Sequence, residues 1–372
     1  MVEGKYLIRY YKKTDSDKVA DFFERTRFIS TKGLDCSLKD FIIWKYEKNR
    51  SCKGTKVLVC FKNNQIVATC GFETRWLYIK EKRIFSWWEM DLVRDIKICN
   101  NPRGKLIGFE IFKRSLLEGL RLSDKALAVT FPNEAGRNIF LKAGWIDTNI
   151  LYSFVKIINF KKFLSRKRFI EQFRDKSKIN IYDIILKRKK GVSQRKHSLQ
   201  VNYSFREINK FDKTIDILWQ NLKNKFPFIA QRDKNYLNWR YIECPSKKYY
   251  CYLGKRDSKL IGYLVTKIEE DEGLMYGYIV EIFTDPQNNK VIKAFISQAE
   301  EFLRQKGVDL IVTAFSHYKF KQALIEEGFF QANKIDFFIF PQYFKNKRLL
   351  KNLLEYRNEW FITRGDMDGD AE

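Results

Sequence analysis

The chain spells one ending twice, and that repetition limits what it can fold into. Asn133 opens a stretch that closes on Leu141-Lys142-Ala143-Gly144-Trp145, and His317 opens another that closes on Ile325-Glu326-Glu327-Gly328-Phe329. Each follows an apolar run that reads as a buried strand, over residues 126–131 and 308–315. Each also precedes a run rich in Ile, Phe and Tyr. A period of roughly 180 residues is too long for a solenoid repeat and implies a duplicated domain. At 372 residues the chain can hold two such domains, each with its own core.

The order of elements repeats as well. In the first half, residues 6–11 read as a strand, and Ser16 and Asp17 cap a helix with Val19, Phe22, Phe23 and Arg27 at helical spacing. Strands follow at 56–61, 66–79 and 84–99, then a helix at 106–122. The second half predicts strands at 201–208, 249–253, 260–268, 275–283, 310–314 and 330–340, with helices at 212–222, 233–241, 291–305 and 317–327. The fold class is α/β in the α+β sense: two tandem domains, each a mixed, mostly antiparallel sheet flanked by helices. The boundaries read 1–157 for the first domain, 158–200 for a basic linker, 201–345 for the second domain, and 346–372 for a C-terminal helix and acidic tail.

A hydrophobic share of 45% with 16% aromatics excludes a disordered chain. No apolar run approaches the roughly 18 residues that a membrane helix needs, and residues 1–10 hold no secretory core, so a cytoplasmic location is expected. Seven cysteines without a C-x-x-C pair, beside only two histidines, read as reduced thiols and give no metal site. The net charge of +26 favours polyanionic partners: CoA phosphates, nucleotide sugars, an anionic membrane surface or RNA. Residues 156–196 carry fifteen Lys or Arg against Glu171, Asp175 and Asp183. Their Phe160, Phe163, Leu164, Ile170 and Phe173 could line one helix face. This linker either meets an anionic membrane surface or transfer RNA, or is a solvated connector.

Chemistry concentrates at Asn100-Asn101-Pro102-Arg103-Gly104-Lys105-Leu106-Ile107-Gly108, between a strand and a helix. Backbone N–H groups at such a junction, with the positive helix end, suit a pyrophosphate. Gly104 and Gly108 let the backbone approach, and Arg103 and Lys105 add charged donors. With the stretch from Asn133 to Trp145, this loop resembles the GNAT superfamily of acyl-CoA-dependent N-acyltransferases, and in particular a tandem-domain group. Its loop signature is Arg or Gln, two residues, Gly, one residue, then Gly or Ala. Arg103 and Gly108 fit it, and Leu106 departs at the middle glycine. Asn133, Phe140 and Gly144-Trp145 match the later signature, while Phe140 stands where many members carry a tyrosine acting as general acid.

The resemblance implies acetyl-CoA or another acyl-CoA as co-substrate, held by Arg103, Gly104, Lys105, Leu106, Ile107 and Gly108. It implies that Asn133 touches the pantetheine arm and that backbone N–H groups near Ile98 and Cys99 polarise the thioester. The acceptor would be a small-molecule primary amine such as an amino sugar of surface-polysaccharide assembly. Glu89, Asp91 and Asp95 share a strand parity, so one of them, Asp91 first, would take the amine proton if no bulge intervenes. Arg240 would point into the substrate cleft. The second copy offers Thr284-Asp285-Pro286-Gln287-Asn288-Asn289 at its loop, without glycine, and His317 in place of the asparagine, so it reads as degenerate. Asp366, Asp368 and Asp370 alternate as in calcium loops without the full ligand pattern, and so read as an ordered acidic tail or an exposed terminus. Two other classes stay open: an aminoacyl or peptidyl transferase of FemABX type using charged transfer RNA, and a non-catalytic RNA- or membrane-binding module. The sequence does not fix the oligomeric state.

Overall fold

Two sheets are formed, and each takes in strand from the other half of the chain. A computed structural model describes residues 6–29, 34–122, 127–165, 203–340 and 347–367. In the first half, β1 (Leu7–Tyr10), β2 (Thr55–Lys62), β3 (Gln65–Ile79) and β4 (Lys82–Arg94) form an antiparallel meander, and β5 (Leu127–Thr130) joins β4 in parallel. Helices α1 (Ser16–Thr26) and α2 (Leu38–Glu47) cover one face, and α3 (Pro102–Leu122) and α4 (Glu134–Lys142) flank the other. The short β6 (Ile146–Asp147) ends this half, but β7 (Leu151–Ile157) crosses to the second sheet.

The second half begins, after α5 (Phe160–Leu164), with β8 (Tyr203–Ile208), α6 (Lys213–Leu222), β9 (Phe228–Ala230) and α7 (Lys234–Leu237), which runs into a wide helical turn, Asn238–Ile242. Next come β10 (Tyr249–Arg256), β11 (Lys259–Asp271), β12 (Leu274–Thr284), α8 (Asn289–Gln305), β13 (Leu310–Phe315), α9 (Tyr318–Glu326), β14 (Phe330–Ile335) and β15 (Phe338–Phe340), and α10 (Lys347–Glu355) leads to the C-terminal segment. The eight-stranded first sheet runs β1-β2-β3-β4-β5-β15-β6 with β9 against β3, and the seven-stranded second runs β14-β7-β13-β12-β11-β10-β8. The expected single strand over 330–340 is therefore two strands in different sheets. The boundaries 1–157 and 201–345 likewise do not divide the sheets, because Leu151–Ile157 pairs with β13 and β14 while Phe338–Phe340 pairs with β5 and β6. At the crossing, the Thr148 N–H and hydroxyl both donate to the Phe337 carbonyl, at 3.0 and 2.8 Å.

The doubled ending has a local physical cause. Asn133 caps α4 by accepting from the Gly136 N–H at 2.8 Å, and His317 caps α9 by accepting from the Lys319 N–H through Nδ1 at 3.2 Å. Both helices span nine residues and end on a left-handed glycine, Gly144 at φ 86° and Gly328 at φ 84°. The next N–H then reaches back to the last turn, Trp145 to Phe140 and Phe329 to Leu324. The aromatic after each glycine is buried and closes the core behind it. Of the expected linker at 158–200, the described part is α5, which Lys162 ties to Asp309; Ile170 and Phe173 lie outside the described residues.

Candidate active site

A second repetition lies in the centre of the molecule. Trp44-Lys45-Tyr46 on α2 recurs as Trp239-Arg240-Tyr241 in the wide turn, and the two tryptophans meet across the halves. Their rings stack at 5.0 Å, and each indole N–H donates to the other's carbonyl, Trp44 to Trp239 at 2.9 Å and Trp239 to Trp44 at 3.2 Å. Each tyrosine that follows donates to a buried carboxylate of its own half: Tyr46 to Asp91 at 2.6 Å and Tyr241 to Glu281 at 3.1 Å. These carboxylates occupy matching places. Strands β4 and β5 pair in parallel up to Glu89 and Thr130, β12 and β13 up to Ile279 and Thr313, and the acid lies two residues beyond in each.

Asp91 sits on a bulge where Met90 still pairs with Gly71 and Val93 pairs with Thr69. Its φ of 53° is left-handed, a conformation that costs an aspartate free energy and persists where the surroundings impose it. The surroundings here are the Lys45 ammonium at 2.8 Å, the Tyr46 hydroxyl, and the Thr69 hydroxyl on the Asp91 carbonyl at 2.8 Å. The bulge breaks the expected shared parity. Asp91 turns to the α2 side of the sheet, whereas Glu89 stays on the α3 side against Cys70 and Ser115.

Glu89 is a core acid. Burial raises its carboxyl to about 8, against the opposing hydrogen bonds from Cys70 and Ser115. An acid held protonated by the fold lowers stability as pH rises from its unfolded pKa to its folded one, here through the range up to about 8. Glu89→Gln is therefore expected to raise Tm at pH 8 and to lose that advantage near pH 5. An equal Tm difference at both values would contradict the assignment.

Asp95 is structural too. Burial would raise its carboxyl, but the Arg25 pair and the N–H groups of Ile98 and Lys97 lower it instead. It caps a turn: Lys97 and Ile98 donate to its side chain and Cys99 to its carbonyl. This corrects the expectation for Ile98 and Cys99. Strand β4 ends at Arg94, both residues lie in the turn, and the turn uses their N–H groups, which therefore cannot polarise a carbonyl.

The α3 loop is self-supporting in the same way. Asn101 accepts from the Gly104 N–H at 2.6 Å, and Arg94 donates to the carbonyls of Cys99 and Gly104 at 3.0 and 3.2 Å. Gly104 is required by packing, since a Cβ would lie 2.7 Å from the Cys99 Cα; Gly108 has room, with the Arg94 side chain 3.6 Å away. Ile107 is buried and Leu106 is 57% exposed. Arg103 and Lys105 are exposed at the helix start. Phosphates of a CoA would thus meet side-chain cations and the positive helix end here rather than a ring of backbone N–H groups. Asn133 is exposed beside this helix, its side-chain oxygen engaged in its cap, while Phe140 packs edge-on to Phe112 and Trp145 at 5.0 and 5.1 Å and takes no part in a cleft.

The opening past Glu281 is filled. The C-terminal segment pairs Thr363 with Phe315, and the Thr363 hydroxyl donates to Glu281 at 3.2 Å. Asp366 accepts from Arg232 at 2.5 Å and from Arg75 at 3.3 Å; Arg75 also pairs with Glu73 at 2.7 Å, and Arg232 with Glu281 at 3.2 Å. Arg240 donates to the carbonyls of Gly365 and Met367 at 3.2 and 2.7 Å. That overturns its expected role, because it holds the chain's own tail, buried, and does not face a cleft. Asp366 is likewise an ion-pair partner; Asp368 and Asp370 lie outside the described residues. Among the described residues no cluster of ligating side chains could hold a metal ion.

Parallel strands that part at a bulge, twice, with a helix start beside one opening, define the topology. The chain has the tandem GNAT fold. It superposes on a GCN5-related N-acetyltransferase from Anabaena variabilis with TM-score 0.60 at 11% identity, covering 90% of this chain and 72% of that one. Saccharomyces cerevisiae N-myristoyltransferase with bound myristoyl-CoA gives 0.56 at 12%, covering 91% and 83%. An Enterococcus faecalis protein described as a probable N-acyltransferase gives 0.57 at 9%, covering 90% and 72%. No protein-family model matches the sequence, and no curated protein does either. Within this GNAT fold, no helix among the described residues is long and apolar enough to cross a membrane. Sequence reasoning missed α2, which carries Lys45 and Tyr46. Phe41, Ile42, Trp44, Lys45 and Tyr46 are all buried, so no amphipathic stripe betrays the helix, although Ser37 followed by Asp40 is a start signal.

Proposed function

We propose that the chain is an acyl-CoA-dependent N-acyltransferase that acylates a small primary amine at its first half. The observation that carries this reading is Asp91: a strained, buried carboxylate just past the parting of β4 and β5, gripped by Lys45 and Tyr46. A buried charge on a strained backbone costs stability that the rest of the fold must offset, and such residues cluster at functional sites. Acyl-CoA, bound along the opening beyond Glu89 and Thr130 with its phosphates toward Arg103 and Lys105, would supply the activated thioester. Asp91 would receive the amine proton through the Tyr46 hydroxyl: the phenol oxygen takes the proton as its own passes to the Asp91 carboxylate. The C–N bond forms as the C–S bond breaks, and the proton then returns to the thiolate or leaves to water. With Phe140 in the core, this relay takes the place of a tyrosine acid. The acyl group is acetyl in this reading, and the acceptor an amino sugar.

Calorimetric titration of acetyl-CoA is expected to give one site per chain, because the C-terminal segment fills the second opening. Absence of binding at about millimolar ligand, some 4 kcal/mol of affinity, would sink the reading. A second reading draws on the engaged N–H groups of Ile98, Cys99 and Gly104, which leave a weaker phosphate cradle than the signature implies. In that reading the donor is an aminoacyl-tRNA, and RNA would co-purify and dissociate with salt.

A further inference from the structure

The two halves differ in what faces the tyrosine of the repeated Trp-basic-Tyr triplet. In the second half the C-terminal segment packs on that hydroxyl: a Cβ on Gly365 would lie 2.1 Å from the Tyr241 hydroxyl oxygen. In the first half Tyr46 lines an open groove of about 520 Å³ with Tyr11, Lys13, Glu47, Thr55 and Lys56. We propose that this groove is the subsite for the acceptor and that it selects a phosphorylated amine of about monosaccharide size. The inference rests on the proposed acyl transfer and names its acceptor class.

Three features of the groove carry the class. Tyr11 and Tyr46 meet edge-to-face at 5.4 Å and give it aromatic walls, which suit the C–H face of a sugar ring. Tyr11 donates to Glu47 at 2.7 Å and so fixes that carboxylate at the wall, while burial first and then Glu47 push the Tyr11 phenol up, keeping it a donor. The second Glu47 oxygen can then accept from an ammonium group. Lys13 and Lys56 are exposed at the rim, two cations against the double charge of a phosphate ester. The Tyr46 side chain that lines this groove also donates through its hydroxyl to Asp91, which ties the subsite to the carboxylate of the proposed proton route.

The test is binding to the full chain without donor, using glucosamine 6-phosphate, glucosamine (no phosphate) and phosphoethanolamine (no ring) as probes. Glucosamine 6-phosphate is expected to bind about ten-fold tighter than either of the others. Lys13→Glu with Lys56→Glu, both at exposed positions, should erase that advantage while leaving Tm and acetyl-CoA affinity unchanged. In turnover the same pair should raise KM for the phosphorylated acceptor about ten-fold with kcat nearly constant. Equal binding of glucosamine with and without phosphate, or an advantage that survives both substitutions, overturns the inference. If acetyl-CoA fails to bind, the acyl-transfer reading falls, and the donor-free measurements still decide the groove.

Discussion

Asp366→Ala is expected to destabilise the chain by about 3–5 kcal/mol, among the largest effects of any single substitution, because it removes one partner from a buried ionic cluster. Asp366 bridges Arg232 of the second half and Arg75 of β3 in the first, and all three side chains are at most 3% exposed. Without it, Arg232 keeps Glu281 and Arg75 keeps Glu73, but each guanidinium loses the partner that ties the tail between the sheets. The Thr363 N–H also loses its acceptor, the Asp366 carboxylate at 3.0 Å. Asp366→Asn retains the shape and an acceptor and should cost less than the alanine. Urea unfolding measures both. A loss below about 1 kcal/mol for the alanine would mean that water enters the cluster and that the tail is not a structural tie. The prediction separates stability from chemistry, since this cluster holds the C-terminal segment in the second opening and contains none of Lys45, Tyr46 and Asp91.

Much of this architecture could be read from residues 133–145 and 317–329, for a reason that differs from the one the motif suggested. The spacing from Asn133 to Gly144 measures one short helix from its cap to its left-handed stop, and His317 to Gly328 measures another. A capped helix of fixed length survives duplication because each of its ends needs a particular residue type. Replacing Asn by His at position 317 therefore did not break the motif. Burial first, with Lys321 and Lys319 after it, lowers the His317 imidazole to about 3, so it stays neutral and its Nδ1 can accept the capping N–H. The exchange of β7 and β15 was not readable, because pairing across halves leaves no local pattern: residues 151–157 read as a strand that either sheet could take. The parity of Glu89, Asp91 and Asp95 failed for a related reason. A bulge adds a residue without any sequence marker other than the aspartate itself, and the turn at Asp95 ends the strand sooner than its apolar content suggests. The Trp-basic-Tyr repeat stood in plain view at positions 44 and 239, but only the reciprocal stacking identifies it as a joint between the halves.

That joint leads to the second large effect. Asp91→Asn is expected to lower kcat by about 10²–10⁴-fold, the range for losing a positioned proton acceptor, with little change in acetyl-CoA affinity. The amide keeps the size of the carboxylate and can still accept from Tyr46, but it cannot take up a proton at neutral pH. The substitution also removes the anion 2.8 Å from the Lys45 ammonium, so part of any loss would come from instability. Asp91→Asn with Lys45→Met resolves this: removing both charges should recover thermal stability toward that of the unaltered chain and recover no turnover. Glu281→Gln supplies the internal control. It occupies the matching place in the second half, accepts from Tyr241 and Arg232, and faces the C-terminal segment, so it should lower Tm while kcat per folded molecule stays within a few-fold. If Asp91→Asn leaves kcat intact, or if the Lys45 change restores turnover with stability, Asp91 is a structural acid like Glu281, and the proton route through Tyr46 fails with it.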